Sequence, residues 1–78
     1  MSKIEKALVK LKQNPRNVRY QELETILLGL GFEKIIAKGS HTKFILGNHI
    51  IVVPFEKPFL KPIYIRLVLQ VLEELEDE

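Results

Sequence analysis

The stretch Lys38-Gly39-Ser40-His41-Thr42-Lys43-Phe44 gathers the residue types of this chain that most readily do chemistry. It holds one of the two histidines among 78 residues. A histidine side chain ordinarily titrates near pH ~6.5, so it can give or take a proton at neutral pH. Gly39 lets the backbone approach a phosphate closely, and the lysines supply positive charge. The stretch is a candidate acid–base and phosphate-binding site, but a histidine at a strand start is also a common surface residue.

The composition argues against metal and membrane sites. The chain has no cysteine and only two histidines, which is too few for a thiolate site or a structural zinc site. We therefore expect no metal and no other cofactor. The N-terminus is charged every two or three residues, and no apolar run approaches the ~18 residues of a membrane span. These features predict a cytoplasmic protein without a signal peptide.

Apolar residues with helical spacing predict three helices, at residues 3–12, 20–30 and 62–75. Ser2 is predicted to cap the first helix, Gly31 to follow the end of the second, and Pro62 to open the third. The inward-facing residues are Ile4, Ala7, Leu8 and Leu11 in the first helix, Leu23, Ile26, Leu27 and Leu30 in the second, and Ile65, Val68, Leu69, Leu72 and Leu75 in the third.

Three strands are predicted between the second and third helices, at residues 33–37, 41–46 and 49–53. Gly47-Asn48 predicts a type II′ turn that pairs residue 46 with residue 49. Strand alternation then divides the hairpin into two faces. The predicted core face holds Thr42, Phe44, Leu46, His49, Ile51 and Val53, and the open face holds His41, Lys43, Ile45, Ile50 and Val52. The two histidines lie on opposite faces and at opposite ends, so we do not expect an acid–base pair, and His49 is interpreted as a residue flanking the turn.

The element order α-α-β-β-β-α predicts one α+β domain over residues 1–78. We expect a two-layer sandwich, with a three-stranded antiparallel sheet and the helices on one face. The last five elements follow the αβββα order of the double-stranded-RNA-binding domain, which is a likeness of fold and not of function.

The charge is unevenly distributed along the chain. Residues 1–20 carry six basic side chains and one acidic one, whereas residues 67–78 carry five acidic side chains and no basic one. A basic body of this kind can bind a polyanion such as RNA. The alternative is two solvated helix faces of opposite sign.

Gly39-Ser40-His41, followed three residues later by Phe44, resembles the signature of the HicA family. These proteins are small mRNA-interferase toxins of type II toxin–antitoxin systems. Leu30-Gly31-Phe32 upstream, a strand ending in Pro54, and Leu60-Lys61-Pro62 before the last helix agree with this family. The resemblance spans roughly residues 18–75 and leaves residues 1–17 as an N-terminal helical extension.

The resemblance implies a double-stranded-RNA-binding-like fold, metal-independent endoribonuclease activity on mRNA, and neutralisation by a HicB-type antitoxin. It also implies that His41 is the catalytic residue, while the second proton-transfer group is not identified. Many members carry a basic residue or a histidine shortly after the third strand, where this chain has Phe55-Glu56. We expect RNA to be bound by Lys38, Gly39, Ser40 and Lys43, although each lysine is equally well explained as a solvated edge charge.

Two other functions stay open at this point. One is an RNA-binding module that does not cleave its ligand and recognises duplex RNA by shape and phosphate contacts. The other is a protein-interaction domain, in which a partner covers the open face of the sheet.

Overall fold

The computed structural model describes residues 3–36, 39 and 41–76. The elements are α1 (Lys3–Gln13), α2 (Tyr20–Gly29), β1 (Glu33–Ile36), β2 (His41–Leu46), β3 (His49–Pro54) and α3 (Pro62–Glu76). The predicted α-α-β-β-β-α order is confirmed. Ser2, predicted to cap α1, and Ala37, predicted to end β1, lie outside the described residues. No helix in the described part of the chain is long and apolar enough to cross a membrane.

The end of α2 is set by Gly31, as the sequence predicts. Gly31 has a φ of 103°, a conformation that favours glycine because it has no Cβ. The Gly31 amide donates to the Leu28 carbonyl at 3.1 Å, and the Phe32 amide donates to the Leu27 carbonyl at 3.0 Å. This is a Schellman motif. It turns the chain sharply into β1 and buries the Phe32 ring, which is 3% exposed.

The hairpin between β2 and β3 has the predicted register. Leu46 pairs with His49, and Phe44 pairs with Ile51. Gly47 has a φ of 60°, while Asn48 does not have a positive φ, which is the combination that a type II′ turn requires. β1 pairs with the other side of β2, so all three strands are antiparallel in the order β1-β2-β3.

The core lies between the helices and the predicted core face of the sheet. Phe44, Val53, Leu23, Leu27 and Ile65 are fully buried there. The alternation along β2 and β3 matches the prediction, because Thr42, Phe44, Ile51 and Val53 are buried while His41, Lys43, Ile50 and Val52 are exposed. The register of the hairpin therefore decides which side chains reach solvent at the start of β2.

Three buried residues were not predicted for the core: Val18, Tyr20 and Leu60. The Leu60 amide donates to the Val18 carbonyl at 2.8 Å, so the connection before α2 is joined to the connection before α3. This bond brings the start of α2 next to the segment that follows β3. The two segments form one side of the candidate site.

Candidate functional site

His41 is exposed at the first position of β2, where it pairs with Pro54 of β3. It lines a depression of about 440 Å³ between the start of α2 and the sheet. Gly39, at a φ of 70°, lines the same depression and has open space where a Cβ would be. The other lining residues are Tyr20, Gln21, Glu24, Lys34, Ile36, Thr42 and Phe55. The depression therefore combines one imidazole with a glycine that leaves its own backbone open to a ligand.

A buried hydrogen bond fixes the floor of this depression. The Tyr20 hydroxyl donates to Thr42 Oγ1 at 2.9 Å, and both residues are less than a tenth exposed. The Tyr20 ring also meets the Phe55 ring edge to face, with 4.9 Å between centroids and an interplanar angle of 67°. A buried hydroxyl pair is stabilising only while both partners are present, because an unpaired buried hydroxyl is costly. These contacts hold α2, β2 and the segment after β3 in one arrangement around His41.

Lys34 supplies a cation on the wall of the depression. Its Nζ lies 2.9 Å from Glu24 Oε2. The side-chain hydrogen bond from Lys34 to Glu24 raises the pKa of Lys34 above its ordinary value, with a further coulombic contribution from the same carboxylate. Lys34 is therefore a fixed ammonium at neutral pH, since its partner prevents the side chain from ranging freely through solvent.

The sequence prediction named other lysines and missed Lys34. Lys34 pairs with Phe44, so its side chain leaves the edge strand on the core side of the sheet, toward α2. Alternation along β1 divides its side chains between the two faces of the sheet. The sequence did not show which face carries Lys34, because the four-residue connection of residues 37–40 does not fix the register between β1 and β2. The two-residue turn does fix the register between β2 and β3.

The predicted RNA-binding residues do not all lie in the depression. Gly39 lines it together with His41, but Lys43 is not among its lining residues. Lys43 lies on the open face of the sheet, with Ile35 on one side and Val52 on the other. Lys38 and Ser40 lie outside the described residues. The structure therefore brings His41 and Gly39 together and leaves Lys43 on an adjoining surface.

His49 is separated from His41 as the sequence predicts. It pairs with Leu46 at the far end of the hairpin, on the core face, and it is half-buried. The two imidazoles cannot exchange a proton from these positions. The carboxylate that does line the depression with His41 is Glu24, held by Lys34.

The open face of the sheet is apolar around Lys43. Ile50 is 59% exposed, Val52 45% and Ile35 43%, and Ile45 lies between Glu33 and Ile50 in the same register row. We call Ile35, Ile45, Ile50 and Val52 the open-face patch. Side chains of this kind on three adjacent strands are typical of a surface that another chain covers.

Within the described ranges, no three histidine or acidic side chains are grouped so that they can hold a metal ion. Comparison of the chain with protein-family models, with curated proteins and with solved structures finds no match.

Proposed function

We propose that this protein is an endoribonuclease of the HicA type, the toxin of a type II toxin–antitoxin pair, and that His41 is its catalytic acid or base. The observation that carries the proposal is the position of His41. It is exposed at the start of β2 and lines a depression together with Gly39 and a fixed cation, Lys34.

The order of the elements supports the proposal at the level of the fold. From α2 to α3 the chain follows α-β-β-β-α, the order found in double-stranded-RNA-binding domains, and we propose that the fold is of this type. On that interpretation α1 is an addition before the shared fold. A common order of elements is compatible with several functions, so the chemistry of the site has to carry the rest.

The chemistry that we propose is cleavage of RNA by its own 2′-hydroxyl. The 2′-oxygen attacks phosphorus, the bond from phosphorus to the 5′-oxygen breaks, and a 2′,3′-cyclic phosphate forms. One proton leaves the 2′-hydroxyl and another reaches the departing 5′-oxygen, and an imidazole at His41 performs one of these transfers. The Lys34 ammonium stabilises the charge that develops on the phosphate oxygens, and Gly39 allows the phosphate to approach the backbone.

A HicB-type antitoxin is the proposed protein partner. The open-face patch lies on the same face of the sheet as Lys43, next to the strand position of His41. A partner seated there buries exposed isoleucine and valine side chains and reaches the start of β2, where His41 lies. Inhibition then depends on the part of the partner that extends from the open-face patch past His41.

The experiment is expression of the wild-type protein and of His41→Ala in a bacterial host without the antitoxin. We expect the wild type to arrest growth and degrade mRNA, and we expect His41→Ala to do neither. His49→Ala is the matched control, because it removes the other histidine from the opposite end of the hairpin. Growth arrest by His41→Ala equal to that by the wild type contradicts the assignment of His41.

A non-cleaving RNA-binding module is the second candidate function. It is favoured by a specific observation, since His41 is the only imidazole that lines the described part of the depression. Such a module binds RNA with the same Lys34 and Gly39 contacts and leaves the RNA intact. Intact RNA recovered from a tight complex with the wild type identifies this alternative.

A further inference from the structure

A second depression, of about 300 Å³, adjoins the one that contains His41. Tyr20, Gln21 and Phe55 line both depressions. The additional lining residues of the second are Arg19, Glu56, Lys57 and Pro58. Its volume is at the lower end of the range of small-molecule sites. A polymer lying across the shared wall passes directly from one depression to the other.

Phe55 provides an aromatic surface that is 44% exposed. The edge-to-face contact with buried Tyr20 holds the ring in place. A large aromatic side chain exposed to this extent after a strand has no role in the core. Such rings serve as stacking platforms for nucleobases, and any base can stack because every base has a π-face.

Two cations lie beside this surface. Lys57 Nζ is 5.3 Å from the centroid of the Phe55 ring, and Arg19, 6.0 Å from the centroid of the neighbouring Phe59 ring, lines the depression. The acidic Glu56 lines it too, but Glu56 Oε2 lies 3.9 Å from Lys61 Nζ outside it. Cations interleaved with aromatic rings are the combination that single-stranded nucleic acids require, since bases stack while phosphates pair with charge.

We infer that the second depression binds a nucleotide of single-stranded RNA adjacent to the cleaved bond. Its base stacks on Phe55 in place of the Lys57 ammonium that lies over the ring, and its phosphate pairs with Arg19 and the displaced Lys57. This inference rests on the proposed function, because it takes RNA as the ligand of the His41 depression. The Gln21 amide, on the wall between the two depressions, can both donate to and accept from a base edge. An acidic peptide can also meet the two cations, and in that case Phe55→Leu leaves the affinity for RNA unchanged.

The test measures binding of a short 2′-O-methyl oligoribonucleotide, which has no free 2′-hydroxyl and is not cleaved. We expect Phe55→Leu to bind it about tenfold more weakly than the wild type, because stacking of a base on an aromatic ring is lost. Ile63→Ala is the control. It shortens an exposed apolar side chain on α3 that lines neither depression, so its affinity should equal that of the wild type.

A second ligand shows whether a loss of affinity in Phe55→Leu comes from lost base stacking or from damage to the fold. An abasic oligomer of the same length has the phosphates and no bases, so wild type and Phe55→Leu should bind it equally. Photocrosslinking of a 5-iodouridine oligomer to the wild type should attach it within residues 55–57. This arm does not depend on the folding of any variant.

The inference is overturned if Phe55→Leu binds the base-bearing oligomer as tightly as the wild type. It is also overturned if Ile63→Ala loses as much affinity, if the abasic oligomer shows the same loss, or if the crosslink lies on the open face of the sheet. None of these results contradicts the proposed cleavage of RNA by His41. Absence of both RNA binding and cleavage in the wild type removes the proposed function and this inference together.

Discussion

At the scale of single residues, the site depends on one histidine and on what surrounds it. The Gly47-Asn48 turn and strand alternation predicted that His41 is exposed and that Phe44 is buried, and the structure confirms both. The prediction of Lys43 as an RNA contact beside His41 stays a prediction, since the structure places Lys43 among the residues of the open-face patch. The fixed cation of the depression is Lys34, which local sequence patterns did not indicate.

The Lys34–Glu24 pair gives a prediction about stability and pH. The pKa of Lys34 is raised in the folded chain above its ordinary value of 10.5. A raised pKa means that the folded state holds the proton more tightly, so the contribution to stability is fully present below the unfolded pKa and is lost as pH rises through the folded pKa. We expect Lys34→Gln to be less stable than the wild type by a constant amount from neutral pH to about pH 10, and this difference to shrink above that.

Thermal unfolding midpoints of the two proteins across this pH range measure the difference. Lys12→Gln is the matched control, because Lys12 Nζ lies 3.9 Å from Glu76 Oε1 in a pair whose side chains are both more than half exposed. It should change the midpoint little at any pH. If the difference in unfolding midpoint between wild type and Lys34→Gln grows above pH 10, the assigned direction of the Lys34 pKa shift is contradicted.

At the scale of elements, local signals predicted most of the fold. Helical apolar spacing, the glycine after α2 and the Gly-Asn turn each act over a few residues, and each produced an element in the expected place. What local signals did not predict is contact between segments far apart in the chain. The Val18–Leu60 hydrogen bond and the Tyr20–Thr42 hydrogen bond both join such segments, and together they form the wall and floor of the site.

The packing of α1 against α2 gives a prediction at this scale. A Cβ added at Gly29 would overlap the Ile4 side chain, with Ile4 Cγ1 at 2.7 Å. Alanine stabilises a helix more than glycine does. In the Ile4→Ala background, where the overlap is removed, Gly29→Ala should therefore raise the free energy of unfolding by about 0.5–1 kcal/mol. In the wild-type background that gain should be lost or reversed, because Ile4 has to move.

Urea denaturation of wild type, Gly29→Ala, Ile4→Ala and the double variant measures this coupling. We expect Gly29→Ala to be more favourable in the Ile4→Ala background than in the wild type. The same effect in both backgrounds contradicts the close approach of α1 to α2 at Gly29.

At the scale of the whole molecule, the chain presents two different surfaces on the two sides of β2. The depressions at the start of α2 combine an imidazole, cations and aromatic rings, whereas the open-face patch is apolar around one lysine. Strand alternation predicted the open face. The depressions depend on how α2 and the segment after β3 are brought to the sheet edge, which is a property of the complete fold.

The proposed antitoxin contact predicts the effect of a charge on the open-face patch. Ile50→Asp should weaken binding of a HicB-type antitoxin about tenfold or more, because a carboxylate is left buried and unpaired in the interface. Ile63→Asp on α3 is the matched control, since Ile63 and Ile50 are both 59% exposed. Titration calorimetry with a HicB-type antitoxin measures both. Equal weakening by the two variants, or none by Ile50→Asp, contradicts the assignment of this face.

The central claim is that His41 performs the chemistry, and the rate of RNA cleavage by purified protein tests it most directly. The measurement compares wild type, His41→Ala and His49→Ala on the same mRNA in the presence of a metal chelator. We expect the wild type and His49→Ala to cleave at similar rates and His41→Ala to be slower by about a hundredfold or more, the contribution of a proton-transfer group. Cleavage by His41→Ala at the wild-type rate, with all three proteins folded, contradicts it.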